Sequence, residues 1–206
     1  MRQPTRRIYL ASKSPRRREL LRQIGVEFEL LLLRTQGPRG PDVNEDIKDG
    51  ESPYEYVSRI AREKAAYGWQ SIMTRSLPAR PVLGADTTVV LDDRILGKPG
   101  SEQEAREMLR ALSGRTHQVL TGVAVRLQDR VWETVHVSEV TFGDLPESAI
   151  NAYCSTVEPY DKAGGYGIQG RAAIFIKHIS GSYSGIMGLP LFETSELLQQ
   201  AGICIP

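Results

Sequence analysis

Long apolar runs are missing from this chain of 206 residues. The most apolar stretch, Phe28 to Leu33, already contains Glu29 and falls far short of the ~18 residues that suggest a bilayer span. No membrane partner is expected. Charge of one sign is equally scarce, since 26 basic residues stand against 25 acidic for a formal net charge of +1. A protein that grips duplex phosphates carries a basic excess, and aromatics at 7% leave little on which to stack successive bases. Polymeric nucleic acid therefore drops out as a partner. The only cysteines, Cys154 and Cys204, lie far apart, which excludes a disulfide-built scaffold and suits a reducing cytoplasm. The three histidines, at 117, 136 and 178, lack metal-ligand spacing and read as partly exposed strand residues. A secretory leader is also missing. After Arg2, Arg6 and Arg7 the apolar stretch Ile8 to Ala11 ends before Lys13, too short for an h-region of about 7–15 residues, so the written start is read as the mature one.

What is there has the balance of a folded globular chain. Hydrophobic residues make up 40% and charged residues 25%, enough apolar material to offset the entropy of ordering. At this length residues 1–206 are expected to form a single domain, with room for two lobes around a cleft.

A βα unit opens the chain. Arg6 to Ala11 reads as a strand, and Ser14-Pro15 as a cap followed by a proline suited to the first helical position. Leu20, Leu21 and Ile24 give that helix one apolar face before Gly25 ends it. Val26 to Leu33 predicts a strand, and the Pro-, Gly- and Asp-rich stretch from Arg34 to Gly50 a long loop. Ser52 with Glu55, and Ser101 with Glu104, predict capping boxes ahead of two further helices. Pro190 to Ala201 and Pro146 to Cys154 complete the helices. Strands are predicted at Val82 to Leu91, His117 to Leu127, Val131 to Phe142 and Arg171 to Ile179, the middle pair joined as a hairpin through Gln128-Asp129-Arg130. Helices mixed irregularly with a hairpin predict a mixed sheet.

Two apparent motifs fail on context. Gly165-Tyr166-Gly167-Ile168-Gln169-Gly170 has the letters of a dinucleotide fingerprint, but the segment after it is β-rich where that fingerprint requires a helix. Gly181-Ser182-Tyr183-Ser184-Gly185 places tyrosine where a nucleophile elbow needs serine. What remains handles anions. In Ser12-Lys13-Ser14-Pro15-Arg16-Arg17, hydroxyls and guanidinium groups crowd a helix start. Free amides and the positive helix end favour phosphate there, whereas unaccompanied arginines oppose the dipole. Read blandly, the same residues are a capped helix with solvated arginines. Asp86 interrupts a strand of Val, Leu and Thr, a costly place for a carboxylate unless it is paired or functional. Lys98 sits in the rigid turn Leu96-Gly97-Lys98-Pro99, and Glu158 to Gly165 combines acids, a lysine and glycines in one loop. Carboxylates able to hold a divalent cation, beside cations able to clamp phosphates, suggest metal-assisted phosphoryl chemistry.

At these residues the sequence resembles the Maf family of nucleoside triphosphate pyrophosphatases. Leu10 to Arg17 is similar to the family's opening signature and Ala61-Arg62-Glu63-Lys64-Ala65 to its second-helix signature. Gly84-Ala85-Asp86-Thr87, Leu96 to Pro99, Ser113 to Val123, Glu158 to Gly164, Gly181-Ser182-Tyr183 and Gly188-Leu189-Pro190-Leu191 follow in the family's order. The resemblance implies an α/β fold of the Maf and ITPase-like kind, a mixed twisted sheet with flanking helices and two lobes around a central cleft. It implies a cytoplasmic enzyme, dimeric in many members, that uses Mg²⁺ or Mn²⁺ to cleave a nucleoside triphosphate to the monophosphate and pyrophosphate. On that resemblance Asp86 is the general base, and Glu45 sits with Asp86 at the metal or water. Lys64, Lys98, Ser12, Arg16 and Arg17 bind the phosphate chain. Arg16, Thr87 and Gln169 match positions that tune base choice. The segment Asp161 to Gly170 is similar to the branch acting on dTTP and UTP.

Three stretches depart from the family pattern: Asn44 stands where an acid is common, Arg34 to Pro41 looks like an insertion, and Ser184 to Met187 is unusual ahead of Gly-Leu-Pro. The competing expectations are the same reaction on 7-methyl-GTP or another non-standard triphosphate, and a nucleotide-binding regulator of cell division without turnover.

Overall fold

A computed structural model of the chain describes residues 7–34 and 40–205. The strand β1 (Arg7–Leu10) leads through α1 (Pro15–Gln23) to β2 (Glu27–Leu30), and the long helix α2 (Pro53–Thr74) follows an extended loop. Then come β3 (Val82–Leu91), β4 (Arg94–Leu96), α3 (Glu102–Leu112), β5 (Thr116–Leu127), β6 (Arg130–Phe142) and α4 (Glu147–Cys154). Short 3-10 turns precede β7 (Ile176–Ser180), α5 (Tyr183–Met187) and α6 (Leu191–Gln200). Among the described residues the strands form one seven-stranded sheet in the order β2-β1-β3-β5-β6-β7, with β4 also on β3. The β1 pairings are parallel and the rest antiparallel, as the mixture of helices and a hairpin predicts.

The caps of α1 and α2 act as expected, whereas at α3 Ser101 accepts the Glu104 amide but the Glu104 carboxylate accepts the Gly100 amide instead of closing the box. Ser14 accepts the Arg17 amide at the start of α1, and Ser52 and Glu55 complete a reciprocal capping box on α2. The loop from Arg34 onward is irregular at residues 40–52; residues 35–39, within the insertion-like stretch, and Arg6 in the first predicted strand lie outside the described residues.

Two expectations change, and two elements appear that were not expected. The strand predicted at Val26 to Leu33 stops at Leu30, because β1, its partner among the described residues, ends at Leu10. The strand predicted from Arg171 begins at Ile176, since the Glu158 carboxylate accepts the Arg171 and Ala172 amides and holds Arg171–Phe175 as a 3-10 turn. Two elements carry little sequence signal. The three residues of β4 fold back through Asp92-Asp93, both at positive φ, and the five of α5 start at Ser182, whose hydroxyl accepts the Gly185 amide.

Side-chain alternation along β3 divides the core. The face with Gly84, Asp86 and Val90 lies under α2. Gly84 and Gly122 have to lack side chains: a Cβ at Gly84 would stand 2.5 Å from the Ala61 carbonyl oxygen, and one at Gly122 2.5 Å from that of Val57. On the opposite face, Leu83 and Ala85 join Leu20, Leu21, Leu197 and Leu198 of α1 and α6 in one hydrophobic cluster. Val89 and Leu91 join Leu109, Leu112, Ile150 and Tyr153 of α3 and α4 in another. Thr87 lies between these two clusters.

The strand edges explain where the cleft opens. On one side β3 pairs with β1 at Val82 and Leu83, then with β4 at Val89 to Leu91. Among the described residues, none forms a strand beside 84–88 on that edge. Backbone and side chains there face an opening between the β1–α1 end of the molecule and the β4–α3 end, the two-lobed arrangement anticipated from the sequence.

Candidate active site

The opening is a cavity of about 750 Å³. Ser12, Arg16, Arg17, Glu45, Lys64, Asp86, Thr87, Lys98 and Gln169 all line it. These nine residues span the chain from the first βα turn to the loop before β7, so the fold brings every site residue singled out in the sequence to one place.

On the α2 face, Lys64 Nζ stands 2.7 Å from Glu45 Oε1 and 2.8 Å from Asp86 Oδ1. Lys64 and Asp86 are each 14% exposed and Glu45 is 48% exposed, so the bridge is deep at one carboxylate and open to the cavity at the other. The Gly84 contact makes it possible, because α2 lies on the strand and its Lys64 Cβ comes within 3.0 Å of a Gly84 Cβ position. Burial opposes ionisation of Glu45, yet Lys64, with help from Lys98 and Arg17, holds its carboxyl below the usual carboxylate range. Lys98 is exposed at the cavity rim, where its charge reaches that carboxylate.

The loop bearing Glu45 is fastened to α2 by residues that the sequence reading passed over. Arg59, only 9% exposed, donates to the Asn44 carbonyl at 3.3 Å, to the Asp46 carbonyl at 2.9 Å and to Glu51 at 2.5 and 2.8 Å. Tyr56 donates to the Glu45 carbonyl at 3.0 Å. Burial raises the Tyr56 pKa, keeping the phenol a donor. Nothing in sequence marks Arg59 beyond a cation on α2 following an acid-rich loop. Asn44 instead uses its side chain to accept the Asp46 amide at 2.9 Å, shaping the turn around Glu45.

On the opposite face of β3 the groups next to Thr87 are hydroxyls and one buried guanidinium. Arg17 is buried and donates from Nε to the Gly188 carbonyl at 2.7 Å, from Nη1 to Ser12 Oγ at 3.2 Å and from Nη2 to Thr87 Oγ1 at 3.0 Å. Burial lowers its pKa, opposed by the charge of Asp86, and an arginine stays protonated through such a shift. Arg17 thus braces the first βα turn, β3 and the end of α5. Arg16 differs: it is partly exposed and reaches Asp161 Oδ2 at 3.5 Å across the cleft. Burial works against the charge of Asp161, but its bond to Lys162, the Lys162 charge and Arg16 hold its carboxyl low.

Gln169 is exposed in the cavity on a loop held from behind by Glu158, which accepts Tyr153 Oη at 3.1 Å and the Arg171 amide at 3.0 Å. The glycine-rich hexapeptide ending at Gly170 runs into a 3-10 turn, so its dinucleotide-like lettering has no structural counterpart.

Among the three histidines the expectation of partial exposure fails at His117, while His136 is half-buried and His178 exposed on their strands. His117 is buried at 2% exposure and meets Tyr166 Oη at 2.7 Å, packed edge-on to Phe142 and Tyr166. Its chain neighbours Thr116 and Gln118 are polar, and its inward position is set by buried Val140 opposite it on β6. His136 bonds Glu193 at 2.5 Å and is half-buried. Among the described residues no group of three or more His, Cys, Asp or Glu side chains is arranged to hold a metal by itself, and no helix is long and apolar enough to cross a membrane.

A wedge between two halves of an α/β sheet, with a lysine-bridged carboxylate pair on one wall and a serine–arginine turn on the other, is the site of a protein that handles phosphorylated ligands. The family described as Maf-like protein matches residues 7–201, and the chain belongs to that family. It is 55% identical over 199 residues to a dTTP/UTP pyrophosphatase of Nitrosospira multiformis, covering 97% of this chain and 96% of that one. It is 56% identical over 198 residues to a dTTP/UTP pyrophosphatase of Aromatoleum aromaticum, covering 95% and 96%. A dTTP/UTP pyrophosphatase of Nitrosomonas europaea is 52% identical over 198 residues, with 96% of each chain covered. The solved structure of the Staphylococcus aureus Ham1 protein is more distant, at TM-score 0.39 and 12% identity over 67% of this chain and 72% of that one, too slight a likeness to carry an argument.

Proposed function

We propose that this chain hydrolyses the α–β phosphoanhydride of dTTP and UTP, releasing the nucleoside monophosphate and pyrophosphate, with modified pyrimidine triphosphates within its range. The observation that carries the reading is the Glu45–Lys64–Asp86 bridge opening on the same cavity as the Ser12–Arg17 turn. Kinship over nearly the full chain to proteins named dTTP/UTP pyrophosphatase supports the choice of substrate.

In this reading the triphosphate lies against the start of α1, where the Ser12 hydroxyl and the helix-start amides receive phosphate oxygens. Lys98 and Lys64 place positive charge where negative charge grows as the anhydride breaks. Asp86 takes the proton of the attacking water, and Lys64 holds that carboxylate in a single orientation. Gln169 meets the base, its amide offering both a donor and an acceptor to a pyrimidine edge.

A divalent cation fits the site. Two carboxylates, Glu45 and Asp86, converge on one cavity wall, and a pair of hard oxygen donors completed by substrate phosphates is a set that Mg²⁺ or Mn²⁺ accepts. Such an ion would neutralise phosphate charge and acidify water.

The test is a pyrophosphate-release assay with Mg²⁺ or Mn²⁺ over dTTP, UTP, CTP, GTP, 7-methyl-GTP and ITP. Turnover concentrated on dTTP and UTP supports the proposal. A purine preference would keep the reaction and overturn the substrate. Tight binding with no turnover would favour the regulator.

A further inference from the structure

We propose that Arg17 and Thr121, neither of them needing to touch substrate, wire the Ser12 and Thr87 hydroxyls in opposite senses, so that Ser12 offers the ligand only a proton and Thr87 only a lone pair. Thr121 is then a positioning residue for substrate choice. The inference rests on the nucleotide reading above and adds a selectivity element to it.

A hydroxyl donates once and accepts twice. Ser12 Oγ accepts from the Ser14 amide at 3.2 Å and from Arg17 Nη1 at 3.2 Å. Both lone pairs are engaged, and its proton remains for an acceptor in the cavity. Thr121, 1% exposed in β5 directly opposite Thr87, donates its only proton to the Gly185 carbonyl at 2.8 Å. The 3.0 Å contact between Thr87 Oγ1 and Thr121 Oγ1 must therefore be donated by Thr87. Arg17 Nη2, which can only donate, takes one of the two Thr87 lone pairs at 3.0 Å. The chain runs one way, from guanidinium through Thr87 and Thr121 to the Gly185 carbonyl. Thr87 lines the cavity with one lone pair and no proton.

Phosphate oxygens only accept, so they suit Ser12 and are refused by Thr87. The group that faces Thr87 is a donor of the nucleoside. Uracil and thymine carry N–H at N3, where cytosine carries a lone pair, and the sugar carries O–H. Base and sugar share the chemistry, and the experiment separates them.

Steady-state kcat/KM is measured for UTP, CTP, dTTP and 2′,3′-dideoxythymidine triphosphate with the wild-type chain, Thr121→Val and Thr121→Ser. Valine keeps the shape but frees the Thr87 proton. The UTP-to-CTP preference is expected to fall about tenfold, the scale of one mismatched hydrogen bond, with CTP turnover rising in absolute rate, while Thr121→Ser keeps the wild-type preference. A fall confined to the dTTP-to-dideoxy ratio identifies the sugar hydroxyl as the donor and still supports the wiring. A folded Thr121→Val with both ratios unchanged overturns it. Should Thr121→Val not fold, the wild-type chain decides: equal turnover of UTP and N3-methyl-UTP, together with equal turnover of dTTP and its dideoxy analogue, overturns the proposal. A wild type that cleaves neither UTP nor dTTP fails earlier, at the functional reading, and takes the inference with it.

Discussion

On one face of β3, Asp86 stands beside Lys64 and, through it, Glu45, three ionisable side chains in contact. One residue further, on the other face, Thr87 belongs to a row of hydroxyls around a single buried guanidinium. The backbone separates these environments by one step of the pleat. The first wall is open enough to exchange partners, since Glu45 is half-exposed and its bond to Lys64 can yield to a ligand. The second is closed, and its bonds run to backbone carbonyls that do not move independently of the fold. In the proposed reading, the bond-breaking and selecting groups come from neighbouring residues but answer to different surroundings.

The largest expected effect breaks the first wall alone. Asp86→Asn preserves shape and removes a base, so kcat should fall about 10²- to 10⁴-fold, the usual worth of a positioned base, for every triphosphate alike. The UTP-to-CTP preference should survive in whatever rate remains. A changed preference with most of the rate intact would show that the two walls do not divide their work.

Acid probes the closed face. His117 lies on the same side of β5 as Thr121, and burial pushes its imidazole down to about 4. The unfolded chain takes up that proton near the ordinary value of ~6.5. Between these values the unfolded state binds more protons, so stability falls as the pH drops, by on the order of 3 kcal/mol once both states are protonated. Urea unfolding at pH 7 and pH 4.5 should show the drop, and His117→Phe should remove that share of it. An identical pH dependence in the variant would contradict the buried neutral histidine.

The smallest effect tests the contact that assembles the charged wall. Gly84→Ala forces a methyl to within 2.5 Å of the Ala61 carbonyl and 2.6 Å of the Ala65 amide. Overpacking of this kind costs about 1–3 kcal/mol. Because α2 has to retreat, Lys64 should leave Asp86, and kcat should fall by more than the stability loss explains. Thermal unfolding and steady-state rates on one preparation separate the two.

Much of this was legible from residue order. Caps, glycine stops and β-branched runs predicted α1, α2, α3 and the β5–β6 hairpin because each depends on neighbours within a few residues. The residues proposed for the site were picked out by signatures at their positions, and the fold places them around one cavity. The misses share a cause in distant partners. The 3-10 turn at Arg171 depends on Glu158, and the early end of β2 depends on where β1 stops. Arg59 is just another helix cation until the Asn44 and Asp46 carbonyls are seen to close on it. Thr121 looks like an ordinary strand threonine, because its polarity is decided by Gly185 and Arg17, far away in sequence.

The central claim is which bond breaks, and phosphorus NMR of dTTP turnover tests it most directly. With Mg²⁺ present, the resonances of dTMP and pyrophosphate should grow together in equal amounts, with no dTDP at any time. Appearance of dTDP and inorganic phosphate, or an unchanged dTTP spectrum, would contradict it.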